Sequence, residues 1–132
     1  MAPAVGPYSP VRRVGDLVVC SGQLGARPGP SGPALVPGGT AAQVDQALAN
    51  VADLLTGEGL GWGHVVKVTA FLADIGDYAL FNERYVATLG DSRPARTVVA
   101  VAGLPLGAAV EVEVWADAGR ADQGAQVPDP KR

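Results

Sequence analysis

The stretch Val110-Glu111-Val112-Glu113-Val114-Trp115 alternates apolar and polar residues without a break. Successive side chains of an extended strand point to opposite faces, so the valines share one face and Glu111, Glu113 and Trp115 the other. Such a strand belongs to a sheet covered on one side, and the cover must come from elsewhere in the chain. Working outward, Ala95 to Ala102 and Val65 to Ala73 read as further strands; in the latter, Lys67 and Thr69 alternate with Val66, Val68 and Ala70. The connection from Gly103 to Gly107 carries Pro105. Near the start, Val11 to Arg13 and Leu17 to Ser21 read as two short strands around a Gly15-Asp16 turn.

The cover is helical. Val44, Ala47, Leu48, Val51, Leu54 and Leu55 recur at spacings of three and four, which is one face of a helix. Thr40 with Gln43 fits a capping box at its start, and Gly57 or Gly59 ends it. Gln43, Asp45, Gln46 and Asp53 fall between the apolar positions and read as a solvated face. A second helix is expected from Asp77, as its cap, to about Leu89, with Gly90 as the stop. The order strand, strand, helix, strand, helix, strand, strand gives an α+β layer, a mixed sheet with two helices on one face. Ala26 to Gly39 is rich in Pro and Gly and reads as a long loop with Ala34-Leu35-Val36 as an edge segment. From Ala118 to Arg132 the chain is polar, and disorder is expected there, leaving residues 1–117 as one domain.

Composition narrows the function classes. The chain has 132 residues, 48% apolar and 17% charged, which is a globular balance for a single domain. Net charge is −3 and the Lys and Arg residues are scattered, so a phosphate-backbone binder is disfavoured. No apolar stretch approaches the ~18 residues of a membrane span. Met1 to Pro10 shows no basic region followed by an apolar run, so no secretory signal is read, and a cytoplasmic setting is expected. One cysteine, Cys20, sits in the apolar run Leu17-Val18-Val19-Cys20 and reads as a small buried residue. The single histidine, His64, opens a strand after a Gly-rich turn and reads as exposed or capping. Neither a phosphate loop nor a metal-ligand spacing is present.

Two features can carry chemistry. Arg96 opens an otherwise apolar strand, so its guanidinium must meet an anion or reach solvent; its planar fork suits a carboxylate, from a substrate or from a structural ion pair. Glu111 and Glu113 are either a solvent-facing pair or, if one is partly buried beside a substrate, a general acid or base.

A series of short motifs in register then resembles a known family. It runs through Gly6-Pro7-Tyr8-Ser9-Pro10, Ser21-Gly22-Gln23, Gln46-Ala47-Leu48-Ala49-Asn50-Val51, the segment Val65 to Asp74, and Asn82-Glu83-Arg84-Tyr85. It ends with Pro94-Ala95-Arg96-Thr97, Leu104-Pro105 and Val110-Glu111-Val112-Glu113. Together these resemble the reactive intermediate deaminase family, of the RidA or YjgF type, over about Gly6 to Asp117. The resemblance implies a chorismate-mutase-like α+β fold, a homotrimer around a central barrel, and active sites in the clefts between subunits. It implies a hydrolase of the 2-iminobutanoate/2-iminopropanoate deaminase type, acting without cofactor or metal on enamines and imines such as 2-aminoacrylate to give 2-keto acids and ammonia.

The site residues implied are Arg96 on the substrate carboxylate, Glu111 directing water, Tyr8 lining the pocket, Ser21 and Gly22 facing the ligand, and Asn82 in support. Two residues after the arginine the family often carries Cys; here it is Val98, whose backbone contacts can survive while thiol modification cannot. The resemblance also admits a specialised member acting on another imine, a non-catalytic trimer that binds a small carboxylate, and an RNA-directed role. The acidic balance and the lack of a basic, aromatic-rich face count against the last. A dry cleft around Glu111 would raise its pKa.

Overall fold

The computed structural model describes residues 6–120 of the chain. In chain order its strands are β1 (Val11–Val14), β2 (Leu17–Leu24), β3 (Ala26–Gly29), β4 (Gly32–Leu35), β5 (Val65–Leu72), β6 (Ala95–Ala100) and β7 (Val110–Asp117). Helix α1 (Gly39–Gly57) lies between β4 and β5, and α2 (Tyr78–Leu89) between β5 and β6. The main sheet has the order β1-β2-β7-β5-β6, and β3 and β4 form a separate hairpin. β5 and β6 are parallel, joined by α2; the other neighbours are antiparallel. The mixed α+β sheet with both helices on one face is the architecture expected from the sequence.

The alternation in β7 places its valines as read. Val110, Val112 and Val114 are fully buried, and they pack with Val18 and Cys20 of β2 and Val68, Ala70 and Leu72 of β5. The apolar stripe of α1 lies over this face, with Val44, Ala47, Leu48, Val51 and Leu55 fully buried, and α2 adds Phe81, Tyr85 and Leu89. The opposite sheet face has no cover among the described residues, and Leu17, Val99 and Trp115 are exposed there.

Several local expectations need correction. The Thr40–Gln43 capping box does not form: Gly38, in the left-handed region at φ 109°, is the N-cap and makes no side-chain bond. The Gln43 Oε1 instead accepts the Ala109 N–H at 2.8 Å, tying α1 to the start of β7. The polar positions of α1 are not a simple solvated face either. Arg84 of α2 grips Asp45 in two bonds of 2.8 and 2.9 Å, and Gln46 donates to Asn50 at 2.8 Å. Asp77 precedes α2 but its side chain caps nothing; Asp74 accepts the Gly76 N–H instead, closing the turn before the helix. Gly90 ends α2 at φ 62°, as expected.

The Pro/Gly-rich stretch is a hairpin rather than a loop. Pro28 lies directly opposite Pro33, and the flanking pairs are Arg27 with Ala34 and Gly29 with Gly32. Prolines cannot donate to a ladder, but a two-stranded hairpin has alternate pairs that exchange no hydrogen bonds, and two prolines fit one such pair. β2 also runs three residues beyond Ser21, through an irregularity between Cys20 and Gln23. At the other end, the Ala118 N–H donates to the Asp16 carbonyl at 2.7 Å, so the described chain is tied down past residue 117. Residues 121–132, where the expected disorder falls, lie outside the described residues.

Asn50 links the hairpin to the core. It is fully buried on α1, and its Nδ2 donates to the carbonyls of Leu24 (3.0 Å) and Ala26 (2.8 Å). Gly25 lies between those two residues, and a Cβ there would collide with the Gln43 carbonyl. Truncating Asn50 takes a side-chain donor away from two carbonyls at the β2–β3 junction. Asn50→Ala is therefore expected to cost about 2–4 kcal/mol, read as a lower urea midpoint at unchanged slope.

Candidate active site

Arg96 lies on β6, the edge strand, opposite Val68 of β5 and hence on the helix-covered side. Its half-buried guanidinium meets the aromatic face of α2. The guanidinium carbon is 4.9 Å from the ring centre of Tyr85 and 5.7 Å from those of Tyr78 and Phe81. Rings at that range attract a cation through their negative faces. Nη2 donates to Asn82 Oδ1 at 2.7 Å and to the Tyr78 hydroxyl at 3.1 Å. Among the described residues no carboxylate pairs with Arg96. The structural ion pair left open by the sequence is thus not what holds it. Val98, two residues along, packs half-buried against the core on the same side.

The aromatic bed was not read from the sequence, although a signal was present. Tyr78, Phe81, Asn82 and Tyr85 follow at steps of three, one and three, which is a single helix face. Phe81 and Tyr85 pack against one another in a tilted arrangement with ring centres 5.6 Å apart. Burial pushes the Tyr85 hydroxyl pKa up, while Arg96 and Arg93 oppose the shift.

Glu111 lies elsewhere. It is opposite Phe71 of β5, an odd step from Val68, and so points to the uncovered face of the sheet. Its carboxylate rests over Gly22, where a Cβ would collide with Oε1. Any side chain at this position would have to shift the Glu111 carboxylate. Burial raises the Glu111 pKa, and the neighbouring Glu113 raises it further. Ser21, beside Gly22, donates its hydroxyl to the Ser9 carbonyl at 2.6 Å, which fastens the N-terminal segment to β2. Tyr8 is in that segment, with its ring exposed and its N–H on the Gly6 carbonyl at 2.9 Å. The residues singled out in the sequence thus fall into separate groups: Arg96, Asn82 and Val98 on the helix-covered side of the sheet, Glu111 and Gly22 on the open side, with Ser21 beside Gly22 and Tyr8 in the segment that Ser21 fastens.

The remaining candidates are structural. Burial lifts the Cys20 thiol to about 11, with Glu58 adding to the shift, which keeps it unreactive. His64 Nδ1 accepts the Gly61 N–H at 3.1 Å in the turn before β5, the capping role expected of it. Among the described residues no three metal-ligating side chains converge, and no helix is long and apolar enough to cross a membrane.

Fold and site together define a small α+β protein with one open sheet face and an arginine held against aromatic rings at the sheet edge. The family described as Endoribonuclease L-PSP matches residues 1–118. The 2-iminobutanoate/2-iminopropanoate deaminase of Bos taurus is 44% identical over 113 residues, 86% of this chain and 81% of the relative. The crystal structure of RidA from an Antarctic Psychrobacter superposes with a TM-score of 0.81 at 39% identity, covering 88% of this chain and 92% of that one. E. coli TdcF with bound serine superposes at 0.79 with 31% identity, covering 91% and 93%. The chain belongs to the Endoribonuclease L-PSP family, the RidA/YjgF family to which its motifs pointed.

Proposed function

We propose that this chain hydrolyses 2-enamine and 2-imine acids, such as 2-aminoacrylate, to 2-keto acids and ammonia. The observation that carries the reading is Arg96, a half-buried cation fixed on aromatic rings with no carboxylate of the described chain to satisfy it. A small 2-imino acid always offers a carboxylate, whatever its side chain. The carbon of its C=N bond is already electrophilic, so the protein has to supply position and a directed water. No cofactor is required for that. The enamine first tautomerises to the imine. Water then adds to the C=N carbon as one of its protons passes to nitrogen, and the hydroxyl of the resulting carbinolamine gives up the second proton to nitrogen as the C–N bond breaks, the carbonyl forms and ammonia leaves. Glu111 takes the proton from the attacking water and returns it to the nitrogen. Its raised pKa suits both halves of that exchange. The serine seen in the TdcF relative carries the same carboxylate as these substrates.

One chain cannot bring Arg96 and Glu111 to one substrate, because they face opposite sides of a sheet. The reading therefore includes a homotrimer in which the open sheet faces line a central barrel. Arg96, Asn82 and Val98 of one copy then meet Glu111, Ser21 and Gly22 of another across a cleft, with Tyr8 lining the pocket. The exposed Leu17, Val99 and Trp115 on the open face support such an assembly, since apolar groups of that size favour burial. The setting we propose is the cytoplasm, where pyridoxal-phosphate enzymes acting on serine or threonine would release such enamines.

The test is coupled turnover. A serine or threonine dehydratase generates the enamine, and keto acid and ammonia are followed with and without the protein. An enzyme accelerates release far beyond its own molar amount, whereas a carboxylate-binding protein stops at stoichiometry. No acceleration across several parent amino acids would sink the general deaminase reading in favour of a specialised imine or a binder. A monomer in sedimentation would sink the shared site.

A further inference from the structure

Arg96 cannot grip a carboxylate at two points in the arrangement described. A guanidinium offers two edges with parallel N–H bonds, Nε with Nη2 and Nη1 with Nη2, and both use Nη2. That nitrogen is already engaged, donating to Asn82 Oδ1 at 2.7 Å and to the Tyr78 hydroxyl at 3.1 Å. One of these partners has to leave before a carboxylate can take both points.

The two are not equally held. The Asn82 bond is the shorter, and its acceptor lies inside the helix face that carries Phe81 and Tyr85. Tyr78 is the first residue of α2, follows a single turn that contains Gly76, and is 42% exposed. Its hydroxyl exchanges Arg96 for water at little cost. Its aromatic body retains the approach to the cation whichever way the hydroxyl turns.

We propose that the Tyr78 hydroxyl is a placeholder for the substrate carboxylate: it occupies the Arg96 fork in the empty site, is displaced on binding, and so sets how tightly carboxylates are held. The inference rests on the proposed role of Arg96. Tyr78 is a specificity-determining residue by this account, because a ligand must outbid its hydroxyl. A carboxylate with two charged oxygens does so, and a neutral amide with one acceptor oxygen does not.

The test is Tyr78→Phe, which removes the oxygen and retains the ring. Binding of a stable product, 2-oxobutanoate, and of its primary amide is measured by calorimetry on the wild type, Tyr78→Phe and Arg96→Ala. Removing an intramolecular competitor worth one ordinary hydrogen bond is expected to tighten 2-oxobutanoate about 3- to 10-fold. The imine KM should fall in parallel, and the amide, no longer facing the hydroxyl, should bind measurably where the wild type excludes it. Unchanged or weaker 2-oxobutanoate binding in Tyr78→Phe, with Arg96→Ala unable to bind, overturns the placeholder and leaves the arginine clamp standing; weaker binding would mean that the hydroxyl donates to the ligand. Undiminished binding by Arg96→Ala overturns the clamp itself. A lowered melting temperature in Tyr78→Phe would point to a structural hydroxyl, and Tyr78→Leu, which lacks the ring as well, then separates the two: tighter binding there retains the proposal and its absence ends it.

Discussion

Arg96→Ala is expected to lower kcat/KM for imine hydrolysis by about 10²- to 10³-fold, the usual loss when one member of a buried, hydrogen-bonded charge pair is truncated. The loss should fall mainly on KM, since the proposed clamp holds the carboxylate in ground and transition states alike. Arg96→Lys tests the geometry. It retains the charge at the rings of Tyr78, Phe81 and Tyr85 but has no planar fork, so about a tenfold recovery over alanine is expected rather than full activity. Folding should be little affected by either change, because Arg96 is half-buried at an edge strand and pairs with no carboxylate of the described chain. A variant with wild-type kcat/KM would remove the clamp from the mechanism.

Glu111→Gln is expected to lower kcat by about 10²- to 10⁴-fold with little change in KM, as the loss of a general base does. The pH dependence gives a second reading. As the proposed base Glu111 works deprotonated, and burial and Glu113 both raise its pKa, so the acid limb of the wild-type profile should lie above the ordinary carboxylate range. Glu113→Gln removes one of the two causes and should move that limb down, though burial retains part of the shift. Stability moves the other way. Folding favours the protonated form of Glu111, so its contribution is full below the ordinary carboxylate pKa and is lost as pH rises through the shifted value. At neutral pH the buried charge is a liability, and Glu111→Gln should melt no lower than the wild type. An unchanged kcat would assign the water to another group.

The sheet was legible because its pattern is local. In β7 the period of two sorts valines from glutamates, and in α1 the steps of three and four select the residues that are buried. The hairpin β3–β4 was not legible, because Pro28 and Pro33 argue against a strand unless their pairing is known, and pairing is a property of two segments. The capping box failed for a related reason: Gln43 has a choice between a local N–H and that of Ala109, sixty-six positions away, and the distant one wins. Asn50 carried no signal beyond its place in a motif, since nothing local says that two carbonyls of the β2–β3 junction await it. Within the site, the residue types of Arg96 and Glu111 were readable, but the sides of the sheet they occupy were not, because that depends on the register of β6 and β7 against β5.

The placement of Arg96 and Glu111 on opposite sides of one sheet also has a genetic meaning. A lesion in either residue disables the chain that carries it, yet each damaged chain retains the half that the other lacks. In a mixed form of the proposed trimer, a junction must arise where an Arg96 from the Glu111→Gln chain meets a Glu111 from the Arg96→Ala chain. Co-expressing the two inactive alleles should restore about a quarter of wild-type activity at random assembly, while either allele alone remains silent. Inheritance would thus report on quaternary structure: two null alleles complement, and a double mutant in one chain, paired with a deletion, does not.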